Sequence, residues 1–258
     1  SHLEPHHQND METYVAPDGY AEEYENPWVP PDLEGRPGDW YAELPDYYGI
    51  CARIDECFGR LLGALNDAGV REETVVLFTS DHGCHFRTRN GEYKRSCHDA
   101  SIRVPAFLDG PGFEGGATVE EPVSLLDVPP TLLDAAGIDV PDAYQGDSVL
   151  PLVGGETDDW KDDVLVQVSE TAVERTLRTE RWKYSVYAPD ADGWEDPAAD
   201  EYVERYLYDL RADPHETVNL VGRPDHRDVA DDLRERLRDR LEAAGEGRPE
   251  IRAAEYHA

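Results

Sequence analysis

The chain has 258 residues, enough for one large domain or a medium domain with a smaller appendage. Its 57 acidic residues against 24 basic ones give a formal net charge of -33, which repels a phosphate backbone and excludes nucleic acid as a partner. No apolar run reaches the roughly 18 to 20 residues of a membrane-crossing helix, so no membrane partner is expected.

Acidic tails without structure lack apolar periodicity, whereas here apolar residues recur in patterned runs between turn residues, so the chain is expected to fold. Lysine occurs only at Lys94, Lys161 and Lys183 while acids are spread along the whole length. The simplest reading is a hydrated surface adapted to high salt, with an acidic interaction surface as the alternative. Cys51, Cys57, Cys84 and Cys97 form neither a C-x-x-C pair nor a zinc-like cluster, and are expected as buried or partly buried thiols.

In chain order, residues 1–40 are rich in His, Pro, Gly and acids and predict an irregular segment in which Trp28, with Trp40 and Tyr41 at its end, would pack or line an entrance. From Leu44 to Ala68, Ile50, Ile54, Phe58, Leu61, Leu62 and Leu65 recur at helical spacing, with Gly69 in the place of a C-cap glycine. Thr74 to Thr79 is a short β-branched and aromatic run that predicts a strand buried on both faces, and it ends in Ser80-Asp81-His82-Gly83. A second strand is predicted over Ile102 to Leu108, and a helix over Leu126 to Ala136 with Pro129 and Pro130 near its start. This order is an α/β pattern.

After Gly154-Gly155 the pattern changes to short alternating strands, Val164 to Val168, Arg175 to Arg178, Trp182 to Tyr187 and Tyr206 to Tyr208, which predict a small antiparallel sheet. The helix Val229 to Ala243 carries Val229, Leu233, Leu237 and Leu241 as one apolar stripe to lie on it. The predicted domains are therefore 1–153, an α/β unit, and 154–258, a small α+β subdomain.

Ligands of open α/β sheets sit beyond the carboxyl ends of strands, where Asp81 and His82 fall. An Asp beside a His, followed by a Gly that lets the backbone turn, can aim an oxygen and a nitrogen at one cation. The bland alternative is a turn-capping Asp and a surface His. Between His82 and His98 the only acid is Glu92, while Arg87, Arg89, Lys94 and Arg95 share the loop, as an anion-binding loop would require. A solvated basic loop balancing nearby acids is the alternative.

Taken together, PDYYGICARIDECFGRLLGALNDAGV, TVVLFTSDHG, GEYKRSCHDASIRVPAFLDGPG, SLLDVPPTLLDAAGI, QGDSVLPLVGG, RTLRTERWKY and LYDLRADPHETVNL resemble the second half of a type I sulfatase, of the alkaline phosphatase-like superfamily, from roughly Tyr47 to Leu220. The resemblance implies the C-terminal part of a mostly parallel sheet with flanking helices, followed by a small antiparallel sheet and a terminal helix. It makes Asp81 and His82 ligands of a calcium or magnesium ion and Lys94 the binder of the sulfate group. His98 becomes a candidate substrate contact or proton donor, His85 is read as a surface residue, and Arg103 is read as structural and left out of the site.

Sulfatases use a formylglycine made in a C/S-x-P-x-R motif, and no Cys or Ser of this chain opens one. The family's opening strand with its paired Asp ligands is also absent from the chain. The expectation is a fragment of a longer enzyme, the missing N-terminal half of the same protein being its partner. A two-chain assembly and a non-catalytic remnant are the alternatives. The function expected of the complete protein is hydrolysis of a sulfate ester on a sulfated small molecule or carbohydrate. Its alternatives are a phosphodiesterase or phosphonate monoester hydrolase, and a non-enzymatic acidic cation-binding module. The compartment is left open, with the cytoplasm favoured.

Overall fold

The computed structural model describes residues 13–113 and 115–255. Residues 1–12 of the segment expected to be irregular lie outside the described residues. The chain forms two compact units, Ser1–Lys94 with Arg103–Pro111, and Arg95–Ile102 with Gly112–Ala258. The predicted boundary after residue 153 falls inside the second of these.

In the first unit the described leading residues are irregular apart from a short 3-10 turn at Ala21–Tyr24. Helix α1, Trp40–Asp67, follows. Its acids hold the leading segment: Glu43 accepts from the Tyr14 amide at 2.8 Å and Asp46 from the Ala16 amide at 2.7 Å. Leu44 and Ile50 bury the inner face against Tyr14, Leu33 and Phe86. At the far end Gly69 has φ +71, and the bonds Gly69 N–H to Asn66 O and Val70 N–H to Leu65 O form a Schellman stop. Cys51, expected to be at least partly buried, is exposed on α1, while Cys57 and Cys84 are half-buried and Cys97 is buried; all four are free thiols.

Strands β1, Val76–Thr79, and β2, Ala106–Asp109, pair in antiparallel register from Val76 opposite Asp109 to Thr79 opposite Ala106. The rings of Phe78 and Phe107 stack at 5.1 Å, and Phe58 of α1 meets both edge-on. Two expectations need correction here. The strand predicted from Ile102 starts only at Ala106, because Pro105 has no N–H for the ladder, and Asp99–Ile102 forms the one-turn helix α2 instead. Of the sheet of the first unit, the described residues hold β1 and β2, which run antiparallel to each other. Their connection contains no helix longer than α2 to carry the chain back to the start of β1, the usual route to a parallel neighbour. Nor is β1 buried on both faces: all four of its residues are half-buried.

In the second unit helix α3, Val128–Ala135, starts from a 3-10 turn capped by Ser124 and has prolines at its first positions, as predicted. The buried Asp127 accepts from the amides of Ser124 and Asp147 and from Lys161 Nζ at 2.5 Å. A one-turn helix α4, Leu150–Val153, precedes a five-stranded sheet. The strands β3 (Asp163–Val168), β4 (Val173–Thr179), β5 (Trp182–Ala188), β6 (Glu201–Asp209) and β7 (Glu250–Arg252) lie in that spatial order. All pairs are antiparallel except the short parallel pair β6 and β7, which sequence periodicity did not indicate. Helix α5, Arg227–Ala243, lays Leu233, Leu237 and Leu241 on Val173, Leu177, Tyr184, Val186 and Leu207 of the sheet. Each buried leucine stabilises this unit by roughly 1.5 to 3 kcal/mol.

Candidate functional site

The loop that follows β1 is built on its own backbone. Ser80 Oγ donates to the His82 carbonyl at 2.8 Å, and the His85 amide donates to the Tyr93 carbonyl at 2.8 Å, which closes the loop on itself. The His85 ring, read from sequence as a surface group, is completely buried, and its Nε2–H donates to the Lys94 carbonyl at 3.0 Å. Burial holds its pKa below the ordinary histidine value, so it serves as a neutral strut of the loop. The neighbouring Phe86 sits among Tyr14 and Tyr47 and has φ +50, while its carbonyl accepts from the Asp39 amide at 3.1 Å. Gly38 lies so close to that carbonyl that no Cβ would fit.

Within this frame the predicted residues Asp81, His82 and Lys94 meet. His82 Nδ1 lies 2.8 Å from the Gly83 carbonyl, a contact that only an Nδ1–H can make. Its Nε2 lies 2.8 Å from Lys94 Nζ, and because an ammonium group only donates, this nitrogen carries the lone pair and accepts. Asp81 Oδ2 stands 3.5 Å from the same nitrogen, with 76% of its side chain exposed. One carboxylate oxygen and one imidazole lone pair thus converge beside an ammonium group. These donors suit a divalent cation as half of a site, since calcium takes six to eight ligands and magnesium six. Among the described residues no group of three or more His, Cys, Asp or Glu side chains gathers to complete it.

The basic character of the loop resolves residue by residue. Arg87 pairs with Asp39 at 3.2 Å, and Arg95 pairs with Glu170. Lys94 bonds instead to a neutral ring nitrogen, which leaves its charge available to an anion. Arg103, left out of the site, is exposed ahead of β2.

His98 belongs to the second unit and is 2% exposed. Its Nδ1 is 3.2 Å from Ser96 Oγ, its Nε2 3.1 Å from the Tyr208 hydroxyl, and the Tyr206 and Tyr208 rings flank it. The next residue, Asp99, accepts from Arg178 and from the fully buried Lys183, while its amide donates to Glu216 at 2.8 Å. Burial alone would raise the Asp99 pKa, but the Arg178 and Lys183 bonds hold it well below the usual carboxylate range. Burial pushes Glu216 up, in spite of its ion pair with Lys183. Sequence reading missed this cluster. Its one signal was Lys183, a lysine within a strand-like run, and partners scattered from Asp99 to Glu216 leave no local pattern.

The mixed α/β architecture, with two sheets and their helices, is that of the alkaline phosphatase-like fold. The Sulfatase family model matches residues 1–138, and the model described as N-sulphoglucosamine sulphohydrolase, C-terminal, matches residues 91–243. The chain belongs to the sulfatase family. It is similar to arylsulfatase K of Homo sapiens, with 34% identity over an alignment of 188 residues and coverage of 68% of this chain and 33% of that protein. Among solved structures it is similar to BT4656, determined in complex with its substrate D-glucosamine-2-N,6-O-disulfate. That match has 25% identity and a TM-score of 0.66 and covers 81% of this chain and 43% of the other. It is also similar to the phosphonate monoester hydrolase of Agrobacterium radiobacter, with 29% identity, a TM-score of 0.65, and coverage of 80% and 42%. The chain spans about a third of the length of the curated relatives it matches.

Proposed function

We propose that the complete protein hydrolyses a sulfate ester on a carbohydrate or other small molecule, and that this chain supplies half of its metal site and its sulfate-binding lysine. The observation that carries this reading is the convergence of Lys94 Nζ, His82 Nε2 and Asp81 Oδ2 on one loop of a sulfatase-family chain. Asp81 and His82 would hold a calcium or magnesium ion, which when bound draws charge from the sulfate oxygens. A formylglycine in an N-terminal segment of the same protein would supply the nucleophile, together with the remaining ligands.

Lys94 holds the sulfate group and stabilises the charge that grows on its oxygens as the ester bond breaks, an interaction that strengthens toward the transition state. Without a cation His82 Nε2 accepts one of the three Lys94 N–H bonds; that nitrogen has a single lone pair, so with a cation on it all three would be left for the anion. His98 is the candidate proton donor to the leaving alkoxide. Its ring nitrogens meet the hydroxyls of Ser96 and Tyr208.

The likeness to BT4656 supports a sulfated amino sugar as the first substrate to test, and the likeness to the phosphonate monoester hydrolase supports a second reading as a phosphonate or phosphodiester hydrolase. The test is turnover by the complete protein, loaded with calcium or magnesium, of a glucosamine sulfate, an aryl sulfate and a phenylphosphonate monoester. Faster turnover of the sulfates supports the first reading. Turnover of the phosphonate alone replaces it with the second.

A further inference from the structure

Among the described residues, five that are not glycine adopt positive φ: Phe86, Arg87, Arg95, Glu170 and Glu216. Three of them lie in the loop that carries Lys94. The other two, from distant parts of the sequence, grip the segment that begins one peptide bond after Lys94. Glu170 (φ +67) pairs its carboxylate with Arg95, and the adjacent Thr171 hydroxyl donates to the Arg95 carbonyl at 3.0 Å. Glu216 (φ +53) accepts from the Asp99 amide at 2.8 Å. Arg95 itself has φ +59.

A left-handed backbone is strained for any residue with a Cβ, and glycine relieves it, so a glutamate there stays only where its carboxylate is used. The Glu170 turn is further fixed by its amide, which donates to the Gly193 carbonyl at 2.7 Å, and a Cβ on Gly193 would come within 2.7 Å of the Glu170 carbonyl oxygen. Arg95–Ile102 belongs to the second unit, whereas Lys94 before it and Arg103 after it belong to the first.

We infer that Glu170, with Thr171, is a positioning residue for Lys94: the pair fixes the left-handed peptide after Lys94 and so sets where its ammonium group is held. Glu216 does the same four residues on. The assignment of sulfate to Lys94 rests on the function proposed above, but the positioning itself does not.

The test reads Lys94 directly. The complete protein and its Glu170→Gly and Thr171→Val variants are treated with acetic anhydride, and acetylation of Lys94, Lys161 and Lys183 is followed by peptide mass spectrometry. Glycine relieves the backbone at residue 170 while removing the carboxylate that pairs with Arg95, and valine removes only the hydroxyl. Lys94 should react about tenfold faster in both variants, the factor that loss of one charge-assisted bond brings. Lys183, completely buried in the second unit, should stay as protected as in the parent. Lys94 reacting at the parental rate with Lys183 protected overturns the inference. Should Lys183 become reactive in Glu170→Gly, that unit has opened and Thr171→Val decides by the same two rates. Titration of the parent with inorganic sulfate separates the two claims: no sulfate binding, with Lys94 still responding to the substitutions, removes the sulfate reading and leaves the positioning role standing.

Discussion

The tautomer of His82 decides what Lys94 can do. With Nδ1–H given to the Gly83 carbonyl, the ring offers a lone pair to Lys94 and leaves the ammonium charge uncompensated by that partner. In the complete enzyme Lys94→Ala is expected to lower kcat by about 10²- to 10³-fold, the usual loss on removing one donor aimed at developing charge; unchanged turnover would remove Lys94 from the site. Asp99 gives a pH signature. Its folded pKa lies below the unfolded value, so its contribution is complete above about pH 4 and is lost as pH falls through the lower folded value. The gap in melting temperature between the parent and Asp99→Asn should be full at pH 6 and close below about pH 4; a constant gap would separate Asp99 from the titration. That Asp81, His82 and Lys94 come close together was legible because strand, turn and loop chemistry are all local. The burial of His85 was not, since its enclosing partners, Tyr93 and the Lys94 carbonyl, depend on how the loop closes.

At the scale of elements, periodicity located α1, α3, α5 and the four antiparallel strands of the second sheet, because each buries one regular face. It failed at β2, where Pro105 shortens the ladder, and at β7, whose three residues are too few to show a period. Leu237 is completely buried at the centre of the α5 stripe, and Leu237→Ala should cost about 2 to 5 kcal/mol by denaturant titration of the complete protein. Gly69 has open space around it, so Gly69→Ala meets only backbone strain at φ +71 and should cost about 1 kcal/mol. A loss as large as that of Leu237→Ala would mean the α1 stop also carries packing.

For the molecule as a whole, one-to-one pairing of 57 acids with 24 lysines and arginines leaves a charge of -33 to be managed by solvent. Many arginines are already taken up: Arg227 and Arg234 both serve the buried Glu204, and Arg248 spans Glu235, Asp239 and Glu242. Screening shortens from about 10 Å at 0.1 M salt to about 3 Å at 1 M, so repulsion among the remaining carboxylates fades over that range. The melting temperature should therefore rise from 0.1 to 2 M KCl; a flat or falling curve would favour the acidic surface as an interaction face. Composition made this property legible, whereas the partition into two units was not, because no change in composition marks the crossings at residues 94/95, 102/103 and 111/112.

Those crossings mean that neither unit corresponds to one uninterrupted stretch of coding sequence. A gene cut after Pro111 would give a downstream polypeptide without Asp99, and Lys183 would then face only Glu216 in an interior closed to water. Recombination between relatives at that position would separate a buried charge from its counterion. Exchanges that keep Arg95–Ile102 together with the sheet it is bonded to would not, so the sequence of this short segment and that of the C-terminal sheet are bound to be inherited as a pair.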